Sequence, residues 1–251
     1  MFHLISFFFV AVVIILVSIP LMLFLVVFRL FNERRAHIIA QVYVGAIMRI
    51  GMVAAGVKYT MKGRENIPKG EAVMFVPNHR SIWDIMLTYP FVSRPTAFIS
   101  KDAVKKVPFI NIWMWIMNCQ FLNREDVKQG AQLILKCIDL VKSGHSVTLF
   151  AEGTRNKGED ETQLLEFHEG SFKIAARGGC AIVPVAIHNS VNIWEAHFPK
   201  IFATKVSVEF GKPFYISDLP KEKQRAAGAY TREILTEMVT KLRDEAQETA
   251  K

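Results

Sequence analysis

The chain has 251 residues, a formal charge of +8 and 51% hydrophobic residues, enough for one compact domain of roughly 190 residues plus an appendage. The basic balance favours anionic lipid headgroups, an acidic carrier protein or nucleic acid, and the absence of helix-turn-helix, zinc or RNA-recognition patterns argues against the last. Three cysteines, Cys119, Cys137 and Cys180, sit in apolar contexts without a CxxC pair, which fits reduced core thiols and excludes a disulfide framework. No metal-ligand cluster, P-loop or dinucleotide fingerprint is present.

The first element is apolar. Leu4 to Phe28 is 25 residues without a charge, about 37 Å as a helix against a hydrocarbon core of about 30 Å. No basic stretch precedes it and no small-residue cleavage pattern follows, so it reads as an anchor rather than a signal peptide. Arg29, Arg34 and Arg35 come next, and the positive-inside rule assigns that flank to the cytoplasm. A second apolar run, Ile38 to Val57, carries Gln41 and Arg49 and is followed by Lys58, Lys62 and Arg64. Two full crossings would leave one basic flank outside. At most one run is therefore expected to cross, the second lying in the interface or against the domain as an amphipathic helix. A shallow hairpin in one leaflet, kinked at Pro20, is the alternative. Residues 1–60 are assigned to these membrane-anchoring helices and 61–251 to a catalytic domain.

Beyond the anchor the chain alternates in an α/β manner. Strands are expected at 72–76, 96–100, 119–123, 147–150, 181–187 and 205–210. Between them Ala131 to Val141 has apolar residues at helical spacing, Ser171 to Ala176 starts another helix, and Leu219 to Lys251 reads as a terminal helix. Pro108 to Met117 is rich in large apolar side chains. It reads as core, with an acyl-chain site or a bilayer contact as the alternatives.

Two segments carry chemistry. Asn78-His79-Arg80-Ser81-Ile82-Trp83-Asp84 follows the first of these strands and sets a histidine five residues before a carboxylate. In one helix that spacing turns the side chains roughly 140° apart, so they meet only if His79 lies in the loop and Asp84 in the helix that follows. Ser81 suits an N-cap, and Asp84 three residues on suits a capping box. From spacing alone the segment is either that cap or a general base with its orienting acid. The second segment, Ala151-Glu152-Gly153-Thr154-Arg155-Asn156, leaves the strand that ends at Phe150. Ligand crevices form beyond strand carboxyl ends, and glycine allows close backbone approach; a solvated turn is the other reading.

Together these segments resemble the glycerolipid acyltransferase family, specifically the 1-acylglycerol-3-phosphate (lysophosphatidic acid) acyltransferases. Four blocks recur in order: Asn78-His79 with Asp84, Phe121-Leu122-Asn123-Arg124, Phe150-Ala151-Glu152-Gly153-Thr154-Arg155, and Ile182-Val183-Pro184-Val185-Ala186-Ile187. The likeness runs from about Met61 to Phe214. The chain departs from the usual pattern at Asn118 for Gly, Asn123 for Asp, Ala151 for Pro and His168 for Lys.

The resemblance implies an α/β fold, a mixed sheet flanked by helices behind the N-terminal anchor. It implies an enzyme that moves a fatty acyl group from a thioester of coenzyme A or acyl carrier protein to the sn-2 hydroxyl of lysophosphatidic acid. Phosphatidic acid for phospholipid biosynthesis is the product, and the catalytic domain faces the cytoplasm from the inner membrane. His79 is the expected base and Asp84 its orienter, a pairing suited to imidazole, which in water titrates near 6.5 and is largely neutral at pH 7. No GxSxG elbow is present, so direct attack by the acceptor hydroxyl is expected over an acyl-enzyme. Arg124 and Arg155, and more weakly Lys101, are the candidates for the acceptor phosphate. The resemblance gives Glu152 the glycerol hydroxyls and places Gly153 and Thr154 in the same binding segment. Backbone amides near Ser81 are candidate oxyanion donors. No metal and no cofactor are expected beyond the thioester co-substrate. Another lysolipid acceptor, or a membrane-tethered lipid-binding protein without turnover, are the alternatives.

Overall fold

The computed structural model describes residues 2–123 and 126–249. Two long helices come first, α1 (Phe2–Phe31) and α2 (Glu33–Ala54), broken at Asn32, whose side chain accepts from the Arg35 amide and caps α2. The seven strands are β1 (Lys58–Lys62), β2 (Val73–Pro77), β3 (Thr96–Lys101), β4 (Gln120–Leu122), β5 (Ser146–Thr148), β6 (Ala181–His188) and β7 (Lys205–Phe210). The other helices are α3 (Trp83–Thr88), α4 (Ile110–Ile116), α5 (Val127–Lys142), α6 (Lys173–Gly178), α7 (Lys221–Arg225) and α8 (Ala227–Thr249).

One sheet holds all the strands in the order β1-β7-β6-β2-β5-β3-β4. β6, β2, β5, β3 and β4 are mutually parallel, β7 is antiparallel to β6, and β1 runs parallel to β7. The sheet is therefore mixed. β2 is buried along its whole length, with Val73 and Phe75 in one apolar layer and Met74 and Val76 in the other. The first layer takes in α1, α2, α3 and α4, and the second α5, α6 and α8. Strands covered on both faces read as continuous apolar runs, which is why β2 and β6 were legible.

β1 lies outside the expected strand list. Its burial alternates between exposed and half-buried with lysine at both ends, the pattern of a polar edge strand. It also crosses the boundary drawn at 60/61: Lys58 and Tyr59 already pair with Lys205 and Val206. The terminal helix is interrupted at Ala226. There Glu169, from a distant turn, accepts from the Gly228 and Ala229 amides and caps the start of α8.

The topology creates a crevice. From β2 the chain passes through α3 to β3 on one side; from β5, its neighbour, it passes through α6 to β6 on the other. Adjacent strands with connections leaving in opposite directions form a switch point, and their carboxyl ends open a gap for ligand.

α1 and α2 are candidate membrane anchors. Residues 12–31 have a mean hydropathy of 2.8 and residues 33–54 of 1.5. Val17, Phe24, Leu30, Val42 and Val53 are exposed along the hairpin. The inner face of α2 is tied to the domain by its polar residues. Gln41 donates to Ser93 O and accepts from the Thr96 amide, His37 Nε2 donates to Thr96 O, and Arg49 donates to Pro90 O. Helix α4 is divided in the same way: Trp113 and Ile116 are core, while Ile110 and Trp115 are exposed.

Gln41→Leu leaves the buried Thr96 amide without its acceptor, which costs about 1–3 kcal/mol. Thermal unfolding in detergent is expected to show a lowered midpoint.

Candidate active site

The His79 loop starts where β2 ends, and Asn78 fixes the departure. Its side chain donates to Ile187 O at 2.9 Å and accepts from the Ile187 amide at 2.7 Å, continuing the β2–β6 ladder past Pro77. The chain then turns into α3. Asp84 Oδ2 accepts three bonds: from the Arg80 amide at 2.7 Å, the Ser81 amide at 2.8 Å and His79 Nδ1 at 2.9 Å. Ser81 Oγ accepts from the Trp83 amide at 3.0 Å. The cap and the His79–Asp84 pair are thus one structure, because the carboxylate that closes the turn is the one that holds the imidazole. The first residue of α3 is Trp83, so Ile82 rather than Ser81 holds the N-cap position.

This geometry sets the histidine's tautomer. A carboxylate only accepts, so Nδ1 carries the proton and Nε2 presents its lone pair. The Asp84 side chain is fully buried and that of His79 is 14% exposed, so the imidazole reaches solvent and the carboxylate does not. Phe150 stacks on the imidazole with ring centroids 3.8 Å apart and planes 14° apart.

Glu152 holds the same loop from β5. Oε1 accepts from the His79 amide at 2.7 Å and Oε2 from the Leu165 amide at 3.0 Å. Burial raises its carboxyl above the ordinary value, against the lowering effect of the two amides. The residue is 4% exposed. With an amide on each oxygen, Glu152 holds the His79 loop. Asn156 adds a second tie, donating its amide to His79 O at 2.7 Å.

Gly153 has a φ of +71°, and a Cβ there would lie 2.4 Å from His168 Nε2. The positive φ favours glycine, while the exposed His168 ring could move aside. Thr154 and Arg155 are exposed, and Arg155 Nη1 donates to Glu195 Oε1 at 3.0 Å. Lys101 is exposed at the carboxyl end of β3, where it pairs with Leu122, and its side chain makes no hydrogen bond or ion pair among the described residues. Arg124 lies outside the described residues. Asn118, in place of the family's usual glycine, has a φ of +53°, and asparagine tolerates this region better than other side chains. Its Oδ1 accepts from Arg29 at 2.7 Å.

The expected oxyanion donors are all engaged. From His79 to Asp84 the amides bond Glu152, Asp84 twice, Glu195, Ser81 Oγ and Ser81 O in turn. Two residues of the site were not assigned from sequence. Arg80 stood unmarked inside the box, and Glu195 belongs to a loop without a motif. A cavity of about 550 Å³ is lined by Arg80, Arg155, Asn156, Lys157, Trp194 and Glu195, among others. A second cavity, about 460 Å³ with Arg34, Arg64, Lys69 and Arg94 on its wall, lies at the opposite, amino-terminal ends of β2, β3 and β5 and has no part in the site. Burial pushes the three thiols up to about 12, so none is a thiolate nucleophile. No group of three or more metal-ligating side chains occurs among the described residues.

A buried carboxylate orients a reachable imidazole at the carboxyl end of a mixed sheet, and comparison with known proteins gives the class. The Acyltransferase family model matches residues 58–188, and the chain belongs to that family. A 1-acyl-sn-glycerol-3-phosphate acyltransferase of Borreliella burgdorferi is 30% identical over 194 residues, which is 77% of this chain and 73% of that protein. One from Chlamydomonas reinhardtii is 32% identical over 150 residues, 59% of this chain, and the chain spans 44% of its length. The crystal structure of the 1-acyl-sn-glycerophosphate (LPA) acyltransferase PlsC from Thermotoga maritima superimposes with a TM-score of 0.79 at 25% identity, covering 96% of this chain and 95% of that one.

Glu152→Gln turns one acceptor toward an amide N–H as a second donor and shifts the His79 loop. Initial rates over a range of acceptor are expected to show kcat reduced roughly 10- to 10²-fold with KM little changed.

Proposed function

We propose that the protein transfers a fatty acyl group from a thioester of coenzyme A or acyl carrier protein to the sn-2 hydroxyl of 1-acyl-sn-glycerol-3-phosphate, forming phosphatidic acid. The observation that carries this reading is the 2.9 Å contact of His79 Nδ1 with Asp84, which leaves Nε2 as the free base. The names of the relatives support the acceptor.

In this mechanism the acceptor hydroxyl gives its proton to Nε2 as its oxygen attacks the thioester carbonyl. The imidazolium is stabilised by Asp84, and the tetrahedral intermediate collapses by breaking the carbon–sulfur bond. The proton on Nε2 passes to the leaving thiolate, so an ester and a free thiol result and His79 is restored. Arg155 holds the acceptor phosphate, with Arg124 and Lys101 as further candidates, through paired guanidinium donors or a point charge. Glu152, Gly153 and Asn156 keep the loop in place rather than touching the glycerol.

The hairpin of α1 and α2 anchors the enzyme to the inner membrane with its domain in the cytoplasm. Arg29 donates to Trp115 O and Asn118, and Arg34 to the Ser143 and Gly144 carbonyls. These bonds support placing the basic turn on the same side as the domain, which agrees with the positive-inside bias.

His79→Ala is expected to reduce thioester-dependent formation of phosphatidic acid by roughly 10²- to 10⁴-fold with the fold and membrane association intact, and Asp84→Ala to reduce it at least as far, because it frees the His79 loop as well as the ring. Near-normal turnover in either purified variant rules the assignment out.

A further inference from the structure

The cavity beside His79 is lined by three cations, Arg80, Arg155 and Lys157, and by one carboxylate, Glu195. Glu195 sits in the loop between β6 and β7, and its two oxygens collect three donors. Oε1 accepts from the Ile82 amide at 2.8 Å and Arg155 Nη1 at 3.0 Å, and Oε2 from Ser81 Oγ at 2.6 Å. A guanidinium, a hydroxyl and an amide converging on one carboxylate are the donors that a phosphate uses. Glu195 therefore occupies the position of an anionic ligand.

Two further observations point the same way. Arg80 is 8% exposed and donates Nη2 to Gly158 O, while its Nε and Nη1 are buried without a hydrogen-bond partner among the described residues. The charge of Glu161 is felt at Arg80, yet these two donors are left open for an acceptor. The Glu195 side chain is 20% exposed, whereas Glu152, which holds the His79 amide, is 4% exposed. Of the side-chain carboxylates bound to the His79–Asp84 segment, Glu195 is the one with a way out to solvent.

Resting on the assignment of Arg155 to the acceptor phosphate, we propose that Glu195 is a built-in competitor for that phosphate and determines acceptor specificity. A phosphate monoester carries close to two negative charges at pH 7. It replaces the single charge of Glu195 with a larger one against three cations, and it takes over Arg155, the Ser81 hydroxyl and the Ile82 amide. A phosphodiester headgroup such as phosphocholine brings one negative charge and a cation. It merely exchanges one monoanion for another and leaves Glu195 displaced without gain. Selectivity then comes from a repulsive and competing element as much as from the clamp itself.

The experiment compares Glu195→Gln with the unmodified full chain in detergent, using one thioester and two acceptors, lysophosphatidic acid and lysophosphatidylcholine. Glutamine keeps the shape and one acceptor oxygen but removes the charge. Expected is a KM for lysophosphatidic acid lowered several-fold and a kcat/KM with lysophosphatidylcholine raised roughly tenfold, the size of one charge-assisted hydrogen bond. Glu195→Ala is expected to move both in the same direction, with thermal melting as the check on folding. A raised KM for lysophosphatidic acid at unchanged selectivity overturns the proposal and makes Glu195 a positioning residue for Arg155. Arg155→Ala separates the two readings. If its KM for lysophosphatidic acid rises while Glu195→Gln gives no gain, the competitor is overturned alone; if its KM is unchanged, the phosphate assignment falls and the competitor with it.

Discussion

The site depends on one carboxylate oxygen. Asp84 Oδ2 closes the turn from β2 into α3 by accepting the Arg80 and Ser81 amides, and it holds His79 Nδ1 at the same time. A buried acceptor with three donors on one oxygen is geometrically over-determined, so the backbone turn and the imidazole cannot move independently. This is how a helix of six residues, too short to be stable alone, positions a base. Removing the carboxylate would release both the ring and the loop that carries it.

The rest of the sheet supports that turn from two sides. Asn78 extends the β2–β6 ladder under His79, and Glu152 grips the His79 amide from the loop after β5. Both supports originate at the switch point, where β2 and β5 are neighbours and their connections diverge. The fold brings His79, Asp84 and a cationic cavity to the carboxyl ends of the central strands. The placement of His79 follows from strand order as much as from its own loop.

Much of this was legible from sequence because the signals were local. Fully buried strands such as β2 and β6 read as unbroken apolar runs, and the helical spacing in α5 was plain. The His79–Asp84 contact was inferable because both ends lie within one turn. What escaped depends on contacts across the chain. β1 is an edge strand with lysine at both ends, so its sequence looks polar. Glu152 reads as a charged residue beside glycine, yet its two partners, at His79 and Leu165, turn it into a buried support. Glu195 meets Ser81, Ile82 and Arg155 only after β6 has returned to lie beside β2. Nothing in its neighbourhood marks it.

The account stands on the claim that Asp84 fixes His79 with its proton on Nδ1. Nitrogen-15 NMR of the imidazoles, with His79 assigned by its loss in a His79→Gln protein, tests this directly among the seven histidines. The result expected is the Nδ1–H tautomer for neutral His79. An Nε2–H tautomer in the unmodified protein would contradict the account, since the nitrogen that Asp84 leaves free would then carry a proton and could not act as the base.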